Sequence, residues 1–312
     1  MVRGIIVVLA VAFTSSIAVS LLIANLTPYF ASSTTVSLLA AILLVFLMFT
    51  PTIGVLAACK ITGESPLRYG LSELSLKEVK KPFFIKILIL IAKVYGSAFT
   101  KKQYTLIAII YVYILSVLNT LVYYIVHGYS PPIFEAIRTL FPIVPEKFIP
   151  IVASGLLVNA LVNGIVGLLP ALGEEACWRG FLLDKFAERL GFTKAALLVG
   201  IIWGLWHSPL ILIVGYEYGV KYPDPKALVG VLVFTVLCVT LGYFFAWLRS
   251  KSGTATVPAL AHSVYNGAAG LLIVTYWNED LLYAGGVGVP AIVSLTIFLL
   301  LLSFLKVFRK EL

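Results

Sequence analysis

The chain has 312 residues and a net charge of +9, with 61% hydrophobic and only 12% charged residues. Soluble domains carry about 25% charged residues, so this composition and the mean hydropathy of +1.04 exclude an ordinary soluble domain. The short alternating segments of a membrane barrel are also missing. The sequence therefore predicts an all-α, polytopic membrane helix bundle, with residues 1–312 forming a single membrane domain.

Apolar stretches recur along the chain, each long enough to cross the hydrocarbon layer, which takes roughly 20 residues. They predict eight transmembrane helices, at 4–24, 36–59, 104–126, 151–172, 195–214, 227–248, 254–275 and 286–305. The first stretch has a signal peptide as its alternative. Its apolar region exceeds the roughly 7–15 residues of such peptides, so we expect a retained helix.

The positive charge is unevenly distributed between the predicted loops. With the amino terminus inside, the cytoplasmic stretches carry 19 of the 23 Lys and Arg residues. The positive-inside rule then predicts that both termini lie in the cytoplasm. Membrane topology and contact with anionic lipids explain the excess of basic over acidic residues, so nucleic acid is not expected as a partner.

Residues 60–103 form a basic segment that we expect at the cytoplasmic surface. Within it, the stretch 80–102 is apolar but places Lys86 and Lys93 seven residues apart, on one helical face. This pattern predicts an amphipathic helix lying on the membrane. A ninth, short transmembrane span is the alternative.

Ionisable groups inside a membrane are costly and indicate function. Within the apolar runs, His207 follows IIWGLW, and His262 is followed four residues later by Asn266 on the same helical face. The stretch 173–181, GEEACWRGF, adds three charges between long apolar runs. We expect these residues to form one site rather than to serve packing in three separate segments.

The two adjacent glutamates are expected to have different roles. Glu175 and Arg179 are four residues apart, the order that favours a helical ion pair, and arginine can clamp a carboxylate with two hydrogen bonds. Glu174 points away from that pair. We therefore expect Glu175 to be held in place and Glu174 to act as the general base, taking a proton from water and passing it to a leaving amine.

The two imidazoles admit two roles from sequence alone. His207 and His262 with Glu174 would make a two-histidine, one-carboxylate zinc set, and zinc would ionise a bound water. Alternatively, His207 and Asn266 would donate hydrogen bonds to a developing oxyanion without metal. The compact zinc-protease pattern HExxH is missing, so both roles remain open.

Three short motifs occur in order in this region: EExxxR at 174–179, an aromatic residue four positions before a histidine at Trp203–His207, and HxxxN at 262–266. Together they resemble the CPBP family of intramembrane proteases, which includes the Rce1-type CaaX proteases. The resemblance covers about residues 150–270. Its second motif usually opens with Phe, where this chain has Trp203.

The resemblance implies eight transmembrane helices, a four-helix catalytic core at 150–270 and a cavity open to the cytoplasm. It implies that Glu174 activates water, that Glu175 and Arg179 support it, and that His207, His262 and Asn266 complete the site. The implied substrate is a lipid-anchored protein or peptide, cleaved three residues from the end of a prenylated CaaX sequence. Both a metalloprotease and a metal-free glutamate mechanism are argued for such sites.

Two other functions are compatible with the same residues. A membrane scaffold or immunity-type protein would share the fold without chemistry, and buried Glu, Arg and His also serve proton-coupled transporters. A scaffold would tolerate loss of Glu174 and of the histidines. Transporters commonly show repeated halves with broken helices, and none are visible here.

The predicted spans also contain a conflict. They leave Glu174 at a cytoplasmic helix end, whereas His207 lies thirteen residues beyond Lys194, roughly 20 Å along a straight helix. The two side chains meet only if the chain near 173–194 enters the membrane. We therefore expect Pro170 and Gly173 to break or tilt the helix, within a cavity lined by protein.

Overall fold

The computed structural model describes residues 2–30, 32–128, 133–140, 142–276 and 279–304. Within these ranges the chain is helical and has no strand, which confirms the predicted all-α membrane bundle. The terminal residues Met1 and 305–312 lie outside the described residues, and with them the predicted placement of the two termini.

Twelve α-helices organise the described residues. In chain order they are α1 (Val2–Leu26), α2 (Thr34–Thr62), α3 (Phe83–Thr100), α4 (Lys102–His127), α5 (Ile133–Leu140), α6 (Ile149–Val166), α7 (Leu168–Glu175), α8 (Leu183–Leu190), α9 (Phe192–Trp206), α10 (Pro225–Ser252), α11 (Thr256–Thr275) and α12 (Val289–Phe304). Two π-helical segments, Ala176–Leu182 and Leu210–Val214, follow α7 and α9 respectively.

The number of spans differs from the predicted eight. Six helices of the described residues are long and apolar enough to cross a membrane, and a bent pair built from α6 to α8 adds a seventh. The helix α12 has only 16 residues. The helix α11 is not among the seven.

The helix α3 occupies most of the stretch predicted to lie on the membrane surface. It has 18 residues and also satisfies the length and composition of a span, which was the alternative for this stretch. Its first turns expose apolar side chains, among them Phe83 and Phe84. Lys93 donates a 2.6 Å hydrogen bond to the Ser75 carbonyl, which ties α3 to the part of the basic segment that precedes this helix.

A break in the chain precedes the glutamates, as we expected from the conflict in the predicted spans. The helical axis turns by 53° between Val158–Val166 and Leu168–Leu190, so the break is at Gly167 rather than at Gly173. Pro170 has no amide hydrogen to donate to the Val166 carbonyl, so α6 cannot continue in α-helical geometry, whereas Pro170 is tolerated in the first turn of α7.

Gly173 serves close packing instead of a break. A Cβ atom at this position would lie 2.7 Å from the Met48 carbonyl oxygen, so the backbone of α7 approaches that of α2 as only glycine allows. The Thr52 hydroxyl donates a 2.6 Å hydrogen bond to the Gly173 carbonyl. The approach fixes α7 against α2 immediately before Glu174.

A polar cluster ties the end of α2 to α8. Lys185 donates a 2.7 Å hydrogen bond to Glu64, and the Tyr69 hydroxyl donates to the other oxygen of the same carboxylate. The hydrogen bond from Lys185, followed by that from Tyr69, lowers the pKa of Glu64. Burial and the neighbouring Glu64 raise the pKa of Tyr69 to about 12. These contacts anchor the helix that follows the glutamates.

The helix α11 lies at the centre of the bundle, packed against α3, α4, α6, α7 and α10. The Tyr111 hydroxyl of α4 donates a 2.6 Å hydrogen bond to the Ala261 carbonyl. At Gly267, an added Cβ would lie 2.2 Å from the Ala160 carbonyl oxygen of α6. The segment that carries His262 and Asn266 is therefore held on several sides.

Candidate active site

The structure brings the predicted site residues together around one cavity of about 320 Å³. Its lining includes all of the predicted catalytic side chains and one of the supporting ones: Glu174, Trp203, His207, His262 and Asn266. Glu175 and Arg179 lie behind this wall, buried and in contact with it. The expected convergence of three separate segments thus occurs, and it follows from the bend at Gly167.

Glu174 is buried and held by two indoles. Its Oε2 accepts a 2.7 Å hydrogen bond from Trp203 Nε1 and a 3.2 Å bond from Trp178 Nε1. The sequence did not predict these two partners of Glu174. The indoles orient one oxygen by charge-assisted bonds, and Oε1 remains for a reactant in the cavity.

The predicted ion pair between Glu175 and Arg179 is present. Arg179 Nη1 donates to Glu175 Oε1 at 2.7 Å, with both side chains almost fully buried. His262 Nδ1 lies 2.9 Å from the same oxygen. Since a carboxylate only accepts hydrogen bonds, His262 donates through Nδ1. Glu175 therefore links the arginine to the orientation of the His262 ring, whose Nε2 is left for the cavity.

Two aromatic rings enclose the Arg179 guanidinium. Its carbon lies 4.3 Å from the centre of the Trp203 ring and 5.2 Å from that of Phe245. A Cβ at Gly242 would lie 2.8 Å from Arg179 Nη2, so glycine makes room for the cation on α10. Arg179 Nη2 and Glu175 Oε2 have no hydrogen-bond partner among the described residues. The two opposite charges are thus buried together, and each is compensated by the other.

His207 follows the last turn of α9, where its ring is fixed by the backbone. Its Nδ1 lies 2.9 Å from the Trp203 carbonyl oxygen. A carbonyl oxygen only accepts, so Nδ1 carries hydrogen, and in the neutral ring Nε2 is a hydrogen-bond acceptor. Asn266 is exposed within α11 and lines the cavity, so its amide is free to contact a ligand.

The site was tested for a metal centre. Among the described residues, no group of three or more His, Cys, Asp and Glu side chains is arranged to hold a metal ion. The hydrogen bonds of the site engage Glu174 Oε2 and the Nδ1 atoms of His207 and His262, and leave Glu174 Oε1 and both Nε2 atoms toward the cavity. Metal-binding histidines commonly donate their second nitrogen in this way, so the zinc set of Glu174, His207 and His262 stays a prediction.

Several residues of the cavity wall were not predicted from the sequence. The Tyr216 ring lies nearly parallel to His207, with centres 6.5 Å apart, and Glu217 and Tyr265 also line the cavity. A signal for Glu217 existed in the sequence, because it is an acidic residue in the apolar stretch LILIVGYEYG. Glu217 was not predicted as a site residue because it lies in the external loop between the predicted spans 195–214 and 227–248.

Comparison with known proteins places this geometry in context. Residues 155–268 match the family described as type II CAAX prenyl endopeptidase, Rce1-like. The protein named CAAX prenyl protease 2 of Methanococcus maripaludis is 33% identical over 109 residues, which span 35% of this chain and 40% of that relative's own length. The family match covers the part of the chain that carries Glu174, Trp203, His207, His262 and Asn266.

Proposed function

Through residues 155–268 the chain belongs to the Rce1-like family, and from this premise we propose that it is a CaaX-type intramembrane endopeptidase. The observation that carries the proposal is the position of Glu174, a buried carboxylate with one oxygen held by two indoles at the wall of a cavity. A carboxylate oriented in this way is a suitable base for water within a membrane.

The two histidines take different roles in this proposal. The neutral His207 ring offers Nε2 as an acceptor, so it would hold one hydrogen of the attacking water while Glu174 removes the other. His262 and the Asn266 amide would donate to the oxyanion of the tetrahedral intermediate. Because His262 Nδ1 already donates to Glu175, the ring would donate to the oxyanion through Nε2 as an imidazolium, whose positive charge the Glu175 carboxylate would balance. Asn266 thus keeps the role of oxyanion donor that was predicted from the sequence. The other predicted donor was His207, and His262 replaces it in this proposal.

Hydrolysis then balances within the protein's own groups. Glu174 takes a proton from water as the oxygen attacks the scissile carbonyl, and it returns that proton to the amide nitrogen as the carbon–nitrogen bond breaks. The products are a carboxylate and a peptide with a free amine. Preorganised donors in a cavity walled by protein stabilise the intermediate more than bulk water would. No step of this proposal requires a metal.

A second cavity gives the substrate a route from the lipid. It has a volume of about 490 Å³ and shares Met48, Asn266 and Gly270 with the first. Apolar side chains of α2 and α6 contribute to its wall, together with Asn159 and Asn163. We place the lipid anchor of the substrate there, so that the peptide reaches the catalytic cavity past Asn266.

The substrate class of the proposal is a prenylated CaaX-type protein that loses its last three residues, or another membrane-anchored peptide. We also propose that the catalytic cavity opens to the cytoplasm, where such proteins are produced. The test is cleavage of farnesylated, geranylgeranylated and unmodified peptides by purified protein, followed by product masses and by metal analysis of the same sample. Release of a tripeptide is the expected result. A failure to cleave any of these peptides would contradict the proposal.

The indole of Trp203 is expected to contribute measurably to turnover. W203F keeps an aromatic ring beside Arg179 but removes the hydrogen bond to Glu174. A hydrogen bond to a charged group is worth about 1.5 kcal/mol or more, so kcat should fall roughly tenfold. Trp178 still holds Glu174, and the double variant W178F/W203F should lose more. W247F, which changes a buried indole outside the cavity, is the control and should keep the wild-type kcat.

A further inference from the structure

A second acidic residue, Glu217, lines the catalytic cavity and has no part in the mechanism described above. It belongs to the loop between the π-helical segment Leu210–Val214 and α10. It lines the cavity that contains Glu174 but not the second cavity, where the lipid anchor is placed. Glu217 therefore faces the part of a bound peptide that lies away from the lipid.

The loop holds Glu217 in an uncommon backbone conformation. Its φ is 65°, the only positive value among the described non-glycine residues. Such a conformation is costly for a residue with a side chain and persists where surrounding contacts enforce it. The next residue supplies such a contact, because the buried Tyr218 hydroxyl donates a 2.8 Å hydrogen bond to the Val287 carbonyl. The Tyr218 ring also packs closely against Gly230, where an added Cβ atom would lie only 2.6 Å from the ring.

The Glu217 carboxyl lacks a cationic partner. No Lys, Arg or His forms an ion pair with it among the described residues, and its Oε2 is buried without a hydrogen-bond donor. Its hydrogen-bonding neighbour is the Tyr216 side chain. Lys226, at the start of α10, pairs instead with Asp280. A buried oxygen without a donor is costly, and rotation about the last side-chain bond, which is a soft torsion, would turn either oxygen toward a ligand.

We propose that Glu217 is a specificity-determining residue that binds a lysine or arginine side chain in the released part of the peptide substrate. The proposal rests on the proposed endopeptidase function. A cation entering the cavity would supply the missing donor and a charge-assisted bond in surroundings that exclude water. A glutamate or aspartate at the same place in the peptide would meet a like charge.

The test compares a peptide series on wild-type protein and E217Q. Each prenylated peptide carries Lys, Gln or Glu at one of the three positions after the modified cysteine, and kcat/KM is measured for each. We expect the wild type to prefer Lys over Gln by roughly tenfold at one position. E217Q should lose that preference, so that its kcat/KM for the Lys peptide falls to that for the Gln peptide, and E217D should keep part of it.

The variant D280N is the matched control, since it removes an exposed carboxylate outside the cavity and should keep the preference. An E217Q variant that still prefers Lys, or that cleaves all three peptides more slowly by one factor, would overturn the proposal. In either case the wild type still cleaves, so the endopeptidase function stands. A wild type that cleaves none of the peptides contradicts the function itself.

Discussion

Replacing Glu174 by glutamine is expected to abolish peptide cleavage, with kcat reduced by about a thousandfold or more. Glutamine has nearly the same shape and keeps an oxygen that accepts hydrogen bonds from Trp178 and Trp203. It cannot take a proton from water at neutral pH. The measurement is the rate of tripeptide release at saturating substrate, together with thermal unfolding in detergent.

The controls separate lost chemistry from lost structure. E188Q changes an exposed glutamate on the same helical run, Leu168–Leu190, and should leave both the rate and the unfolding temperature unchanged. E174Q should unfold at the wild-type temperature. If E174Q turned over substrate like the wild type, Glu174 would not be the base, and another group would have to activate the water.

Replacing Glu175 by glutamine is expected to lower stability as well as activity. The change leaves Arg179 as an uncompensated cation, almost fully buried. Breaking a buried ion pair from one side costs about 3–5 kcal/mol. It also removes the negative charge beside His262, so donation to the oxyanion should weaken. E175Q should therefore unfold at a clearly lower temperature than E174Q and cleave little or no peptide.

A double variant tests the origin of that loss. E175Q/R179M removes the cation together with its partner, and replacing a buried pair by apolar groups is often neutral. We expect E175Q/R179M to recover much of the unfolding temperature but not the activity, because His262 still lacks its carboxylate. A single variant E175Q that unfolds like the wild type would show that the buried pair does not support the fold.

The class of the protein and its chemistry were open to prediction from sequence because they depend on local features. Composition and the length of apolar runs determine that the chain is an all-α membrane bundle, since every backbone polar group in lipid must be satisfied within a helix. The spacing of Glu175 and Arg179 predicts their ion pair, because residues four apart share a helical face. The cost of charge in a membrane selected His207 and His262.

The tertiary structure decided what those residues contact. The bend at Gly167 and the close approach of Gly173 to α2 place Glu174 at the cavity that His207 and His262 also line, and no local pattern specifies such an angle. The indole bonds to Glu174 join residues up to 29 positions apart, and the bond from His262 to Glu175 spans 87 positions. Partners so distant are chosen by helix packing. The sequence by itself thus determined the class of the fold and indicated which ionisable groups form the candidate site, and only the packing decided how each is oriented.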